Sequence, residues 1–173
     1  SSGDGFDVSG SITQQQEIIS GARDAVQADI DYNQTQITAI NERLDRDLEA
    51  LETSLTADIK VQTDKLIPLD SLVSSYSDQE DSGFLNRTDN RGAAVELIAQ
   101  QKPERDAIAL EIQRVTGTAR TREGELRRTA SVAVREAQGN INDYRSQTQS
   151  TVDAATAEIN RLREQSNSSQ DDD

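Results

Sequence analysis

The sequence predicts an all-α fold built from two long helices, and three observations support this prediction. Of the 173 residues, 33% are hydrophobic and only 3% are aromatic, so the chain has few of the large rings that usually fill a globular core. Its Leu, Ile, Val and Ala residues nevertheless recur at helical spacing, as in DLEALETSLTADIKVQTDKL at 47–66. No proline interrupts residues 12–66. These features predict long helices with narrow apolar stripes.

The first predicted element is a short polar arm. Residues 1–11, SSGDGFDVSGS, are rich in Gly, Ser and Asp and favour an extended conformation. Phe6 and Val8 are its larger apolar residues, and we predict that they anchor the arm on a neighbouring protein. Ser11 or Thr13 is expected to cap the helix that follows.

The first long helix is predicted over residues 12–66, where apolar residues follow an eleven-residue period. Eleven residues over three turns give about 3.67 residues per turn, which is typical of a nearly straight or right-handed coiled coil. Asn33 interrupts one of these apolar rows. A polar residue in a coiled-coil seam can fix register and oligomeric state. A tolerated interruption explains Asn33 equally well, and the sequence leaves both interpretations open.

Residues 67–103 are predicted to form a connecting tip that contains a short helix. Ile67 precedes Pro68, and a residue before proline disfavours helical backbone angles, so the first helix should end here. Within the tip, residues 78–89 (DQEDSGFLNRTD) partly follow the pattern of a calcium-binding loop. Glu80 and Asp89 have the wrong side-chain lengths for that loop, so an acidic, solvated turn is the simpler interpretation.

The second long helix is predicted over residues 104–165 and keeps the same period, and an acidic, flexible tail follows at 166–173. This helix contains Gly117, Gly124 and Gly139, which mark either flexible turns or places where another helix approaches closely. Thirteen apolar residues of the two helices are predicted to form the seam: Val26, Ile37, Leu44, Leu48, Leu55, Ile59, Leu66, Ile108, Val115, Leu126, Ile141, Val152 and Ile159.

Charge predicts how the two helices pair. Residues 41–58 hold six carboxylates against two arginines, whereas residues 114–135 hold six arginines against two glutamates. These segments would lie side by side if the chain folded back near residue 85, so we predict an antiparallel helical hairpin or coiled coil. Seams this narrow bury little in one hairpin, so the hairpin is expected to belong to an oligomer.

Composition also limits the function. The chain contains no His and no Cys, which excludes Ser-His-Asp and Cys-His nucleophile systems and the usual zinc sites. We therefore expect no enzyme activity, cofactor or metal site. A net charge of −14 disfavours nucleic-acid binding, and no apolar run approaches the roughly 20 residues of a membrane span, so we expect no stable membrane insertion.

A Gly/Ser-rich arm followed by a long helical stem rich in Gln, Asn and Thr, and free of Met and Cys, resembles the elongated coiled-coil structural proteins of bacteriophage virions. This group includes fibre stems, whiskers, neck or tail proteins and ejection components. The resemblance implies a non-enzymatic virion subunit that binds copies of itself and other structural proteins, with the arm as docking element. Two alternatives remain: a bacterial surface or secreted coiled-coil protein that binds a partner through residues 67–103, and an ejection or pore-forming helical protein.

Overall fold

A computed structural model describes residues 7–78 and 87–171, and the side chains of residues 7–76 and 92–168. The described residues form three α-helices and contain no strand. Helix α1 spans Val8–Asp64 (57 residues), α2 spans Leu66–Asp78 (13 residues) and α3 spans Arg87–Asp171 (85 residues). The predicted all-α fold with two long helices is confirmed.

Helix α1 begins at Val8, four residues before the predicted start, because Asp7 caps it. The Asp7 Oδ1 atom accepts a hydrogen bond of 2.9 Å from the backbone N–H of Gly10. The Asp7 carbonyl accepts one of 3.0 Å from the backbone N–H of Ser11. A carboxylate at this position satisfies a donor that the start of a helix otherwise leaves unpaired. Ser11 and Thr13, the predicted caps, therefore lie inside the helix.

The end of α1 is set by Pro68. Its ring would clash with the carbonyl four residues earlier, that of Asp64, and it has no N–H to offer that carbonyl. Helix α1 ends at Asp64, and Lys65 forms a tighter turn in which its N–H donates to the Gln62 carbonyl at 3.1 Å. Helix α2 then begins at Leu66, with Pro68 in its first turn, where a missing N–H costs little.

Helix α3 begins at Arg87, well before the predicted residue 104, and it continues through Pro103. Proline inside a helix removes one backbone hydrogen bond and disfavours the helical conformation. The described part of the predicted tip is therefore helical, because α2 and the first turns of α3 cover most of residues 67–103.

The chain divides into two compact units. One consists of Arg43–Thr129 and is called the central unit here. The other combines Ser1–Glu42 with Ala130–Asp173 and is called the terminal unit. Each unit contains a segment of α1 and a segment of α3, so the two long helices pack against each other in both.

The helices of the central unit are antiparallel, as predicted. Gln101 of α3 donates to the carbonyl of Leu69 in α2, and Arg105 of α3 pairs with Asp70 of α2. Further along, Glu111 and Arg114 of α3 lie near Lys65 and Asp58, respectively. Residue numbers therefore rise along α3 as they fall along α2 and α1.

The terminal unit has a narrow apolar core made mostly by α3. On its α1 side the buried residues, among those described, are Ile30 and Asn33. On its α3 side the most deeply buried are Ile141 and Leu162, at 2% and 1% exposure, and the others are Ala130, Ala137, Val152, Ala155 and Ile159. Small side chains thus provide much of this core, in agreement with the thin apolar pattern of the second helix.

The eleven-residue period is visible in the exposure of the side chains. On α1 the half-buried positions 37, 40, 44, 48, 51, 55 and 59 follow a 3-4-4 spacing. On α3 positions 141, 144, 148, 152, 155 and 159 show the same spacing. All thirteen predicted seam residues are buried or half-buried.

Candidate assembly interface

In the central unit, a groove of about 560 Å³ lies between α1 and α3. Its apolar lining comes from Leu48, Leu51 and Leu55 of α1 and from Ala119 of α3. The three leucines are half-buried, so part of each remains accessible. We call this surface the leucine groove.

The leucine groove exists because the two helices contribute side chains of different size. Helix α1 places leucines at 48, 51 and 55, one turn apart, on the side that faces α3. Opposite these leucines, helix α3 contributes Ala119 and Thr116, whose short side chains do not fill the space above the leucines. A single copy of the hairpin therefore leaves these leucines partly uncovered.

Charged side chains line the groove on both sides. Asp45, Glu49 and Glu52 of α1 provide three carboxylates, and Arg120 and Arg127 of α3 provide two guanidinium groups. Glu123 of α3 also lines the groove and pairs with Arg127 within the same helix, at 2.9 Å. One side is thus acidic, and the other is basic with a single carboxylate.

Several of these charges have no ion-pair partner within the described part of the chain. Asp45, Glu49 and Glu52 make no salt bridge there, and neither does Arg120. The surrounding segments have the same polarity. Residues 43–58 hold five carboxylates against two arginines, and residues 114–129 hold five arginines against two glutamates. The predicted acidic and basic segments are therefore neighbours, but close ion pairs do not join them.

A polar cluster at the other end of the central unit fixes the pairing of α2 with α3. Gln101, which is 5% exposed, donates from Nε2 to the Leu69 carbonyl at 3.2 Å. Its Oε1 atom accepts from Arg105 Nε at 3.1 Å, and Arg105 Nη2 reaches Asp70 Oδ1 at 2.8 Å. Sequence analysis did not identify this cluster, because Gln and Arg in a polar helix give no sign of a partner some 30 residues away.

Two ion pairs within α3 influence protonation. The hydrogen bond from Arg114 keeps the pKa of Glu111 below its ordinary value, and the charges of Arg114 and Lys65 act in the same direction. The hydrogen bond from Arg161 lowers the pKa of Glu158 in the same way. Both carboxylates therefore stay ionised to a lower pH than an isolated glutamate would.

Asn33 is buried, at 6% exposure, but it does not link the helices. Its Nδ2 atom donates to the backbone carbonyl of Asp29, one turn earlier in α1, at 2.8 Å. No other hydrogen bond of this side chain occurs within the described residues. The bond is local, so it favours the interpretation of Asn33 as a tolerated interruption of the apolar row.

The three interior glycines of α3 do not mark close helix contacts within the chain. A Cβ atom built on Gly117, Gly124 or Gly139 would meet no neighbouring heavy atom within 4 Å. Of the two interpretations offered by the sequence, the close approach of another helix of the same chain is therefore wrong for all three positions.

Of the other predicted sites, some line the leucine groove and some lie outside the described residues. Leu48 and Leu55 of the predicted seam line the leucine groove, together with Leu51, which was not among the predicted seam residues. Val8 is half-buried and belongs to α1 instead of an extended arm, whereas Phe6 lies outside the described residues. The calcium-loop pattern at 78–89 also falls largely outside the described residues. The anchoring role of Phe6 and the interpretation of 78–89 as a solvated turn therefore both stay predictions.

The described part of the tip exposes several large apolar side chains. Ile67 and Leu72 of α2 and Val95 and Ile98 of α3 are between 46% and 64% exposed. Sequence analysis placed a partner-binding tip in this region as an alternative. None of the described helices is long and apolar enough to cross a membrane.

Comparison with known proteins adds no relative. No protein-family model matches the sequence, and neither the curated proteins nor the solved structures include a significant match.

Proposed function

We propose that this chain is a non-enzymatic structural subunit that associates with copies of itself and with other proteins of a larger assembly. The observation that carries the proposal is the leucine groove, in which Leu48, Leu51 and Leu55 are only half-buried beside Ala119. Charged residues border this apolar strip, and an apolar centre with a charged rim is the usual composition of a protein interface.

The position of apolar residues supports the same proposal. The described part of the chain buries its apolar residues along narrow seams, and many of these residues are alanines. The leucine groove leaves larger apolar side chains partly accessible beside them. Contact between copies would remove this surface from water, at about 25 cal/mol per Å² of apolar area.

The proposal extends to a bacteriophage virion as the assembly. Its support is the resemblance of this chain, in composition and in the order of its segments, to the structural proteins of such particles, including the Gly/Ser-rich arm that precedes the helices. In this proposal Phe6 and Val8 anchor the chain to a neighbouring virion protein, and the helices associate with one another.

Sedimentation velocity between about 1 and 100 µM tests self-association. We expect species whose masses are multiples of 19.0 kDa and whose fraction rises with concentration. A stable 19.0 kDa monomer at every concentration would refute the proposed function. For the virion assignment, phage particles purified from a culture that expresses the chain should contain it in constant stoichiometry.

A bacterial surface or secreted binding protein is the second candidate, and the exposed apolar side chains of the tip favour it. Ile67, Leu72, Val95 and Ile98 would contact the partner in this case. Replacement of all four by glutamine should abolish binding to that partner and preserve helicity. Loss of particle binding after removal of residues 1–6 would instead favour the virion subunit.

A further inference from the structure

We propose that the leucine groove binds the leucine groove of a second copy of this chain, with a two-fold axis that runs parallel to the helices. In this dimer α1 of each copy lies on α3 of the other, and the two central units form four packed helices. The inference rests on the proposed function, because it specifies the surface and the geometry through which the chain self-associates.

The first argument is the chemistry of the groove. Leu48, Leu51 and Leu55 form an apolar strip about two turns long, and charged residues border it on both sides. An apolar centre with a charged rim is the usual composition of a protein interface. A ridge of leucines from a second copy could also fill the space beside the short side chain of Ala119.

The second argument is that the rim is self-complementary. The α1 side carries Asp45, Glu49 and Glu52, and the α3 side carries Arg120, which has no ion-pair partner within the described residues. Arg127 strengthens the basic side. One surface that is acidic on one edge and basic on the other can bind a copy of itself, provided that the edges cross over.

The third argument is that symmetry then selects one geometry. When two hairpins meet face to face, the two-fold axis can run along the helices or across them. An axis across the helices places α1 on α1 and brings three carboxylates of each copy together. An axis along the helices places the acidic edge of α1 on the basic edge of the partner's α3. Like charges at an interface cost free energy, so the second arrangement is favoured.

The test mixes two variants with opposite charge changes. The acid-edge variant carries Glu49→Lys and Glu52→Lys, and the base-edge variant carries Arg120→Glu and Arg127→Glu. Each variant alone presents two edges of the same sign to its own copies, so we expect its self-association to weaken about tenfold or more. In the mixture every edge meets an edge of opposite sign on the other chain, so heterodimers should form with nearly wild-type affinity.

This design separates contacts between chains from contacts within one chain. In each variant the two edges of the same hairpin carry like charge, and mixing does not change that. Only an interface between chains can be restored by mixing. Native mass spectrometry with one isotope-labelled partner measures the heterodimer fraction, and circular dichroism checks that both variants keep their helices.

Matched control variants change the same number of charges outside the groove. Asp47→Lys with Asp58→Lys controls for the acid-edge variant, and Arg122→Glu with Arg128→Glu controls for the base-edge variant. Arg122 makes an ion pair with Glu125 within α3, as Arg127 does with Glu123, so the control also removes one such pair. The controls should self-associate like the wild type.

The outcomes distinguish the inference from the proposed function. If the wild type self-associates but the edge variants do so equally well, or if both are weakened and mixing does not restore association, the interface proposed here is wrong and the proposed function stands. If the wild type is a monomer, both fail. Should a double variant lose helicity, the test is repeated with two single variants, Glu52→Lys for the acid edge and Arg120→Glu for the base edge. We again expect each variant alone to self-associate more weakly and the mixture to form heterodimers.

Discussion

At the scale of single residues, two polar side chains show that burial alone does not decide whether a side chain links two helices. Asn33 and Gln101 are similarly buried, but Asn33 bonds within its own helix and Gln101 bonds across to α2. The sequence identified Asn33, because it interrupts an apolar row. It gave no reason to select Gln101, whose role depends on the distant Leu69 carbonyl and on Arg105.

The two residues should therefore respond oppositely to the same substitution. Asn33→Leu replaces a locally bonded amide by a buried apolar group, so we expect a gain of about 1 kcal/mol in the free energy of unfolding. Gln101→Leu leaves Arg105 without a partner for its Nε atom and should cost about 1 kcal/mol. Urea unfolding measures both values. A large loss of stability or a changed oligomeric state in Asn33→Leu would show that Asn33 specifies assembly.

The glycines of α3 provide a second test at this scale. Because a Cβ would meet nothing within 4 Å, Gly→Ala at 117, 124 and 139 should each stabilise the helix by up to about 1 kcal/mol. Gly10→Ala is the contrasting control, since its Cβ would lie 2.5 Å from Asp7 Oδ2 and displace the helix cap. Thermal unfolding checks the stability. Destabilisation by the three α3 substitutions would indicate that another copy packs against these positions.

At the scale of helices, sequence patterns predicted type and period better than boundaries. The eleven-residue spacing identified both long helices, because it reports which side chains face a partner over many turns. The start of α1 was placed too late, because Asp7 was assigned to the arm although it caps the helix. The start of α3 was also placed too late. Pro103 disfavours a helix locally, but the surrounding helix continues through it.

The two prolines should differ in their cost to stability. Pro103 lies in the interior of α3, so Pro103→Ala restores a backbone donor and should raise the free energy of unfolding by up to about 3 kcal/mol. Pro68 occupies the first turn of α2, so Pro68→Ala should change it by less than about 1 kcal/mol. Denaturant unfolding compares the two variants. An equal effect of both substitutions would contradict the assignment of Pro68 to the first turn of α2.

At the scale of the whole molecule, charge predicted the pairing of the helices but not the groove. The opposite charges of residues 41–58 and 114–135 indicated an antiparallel arrangement, and the central unit shows it. The leucine groove depends on which α3 residue stands beside each leucine. That register cannot be read from either helix alone, so the sequence did not predict that Ala119 and Arg120 would line a groove together with these leucines.

The leucine groove, its charged edges and the proposed dimer all depend on the antiparallel register of α1 and α3 in the central unit. A distance measurement between the two helices tests this register most directly. The chain has no cysteine, so spin labels can be attached at Ser54→Cys and Thr118→Cys, two exposed positions on facing segments of α1 and α3. Labelled protein is diluted with unlabelled protein so that only distances within one chain are recorded. We predict a mean distance of about 20 Å, as helices packed 8–10 Å apart allow. A distance approaching about 95 Å, the length of an uninterrupted helix at 1.5 Å per residue, would contradict the account.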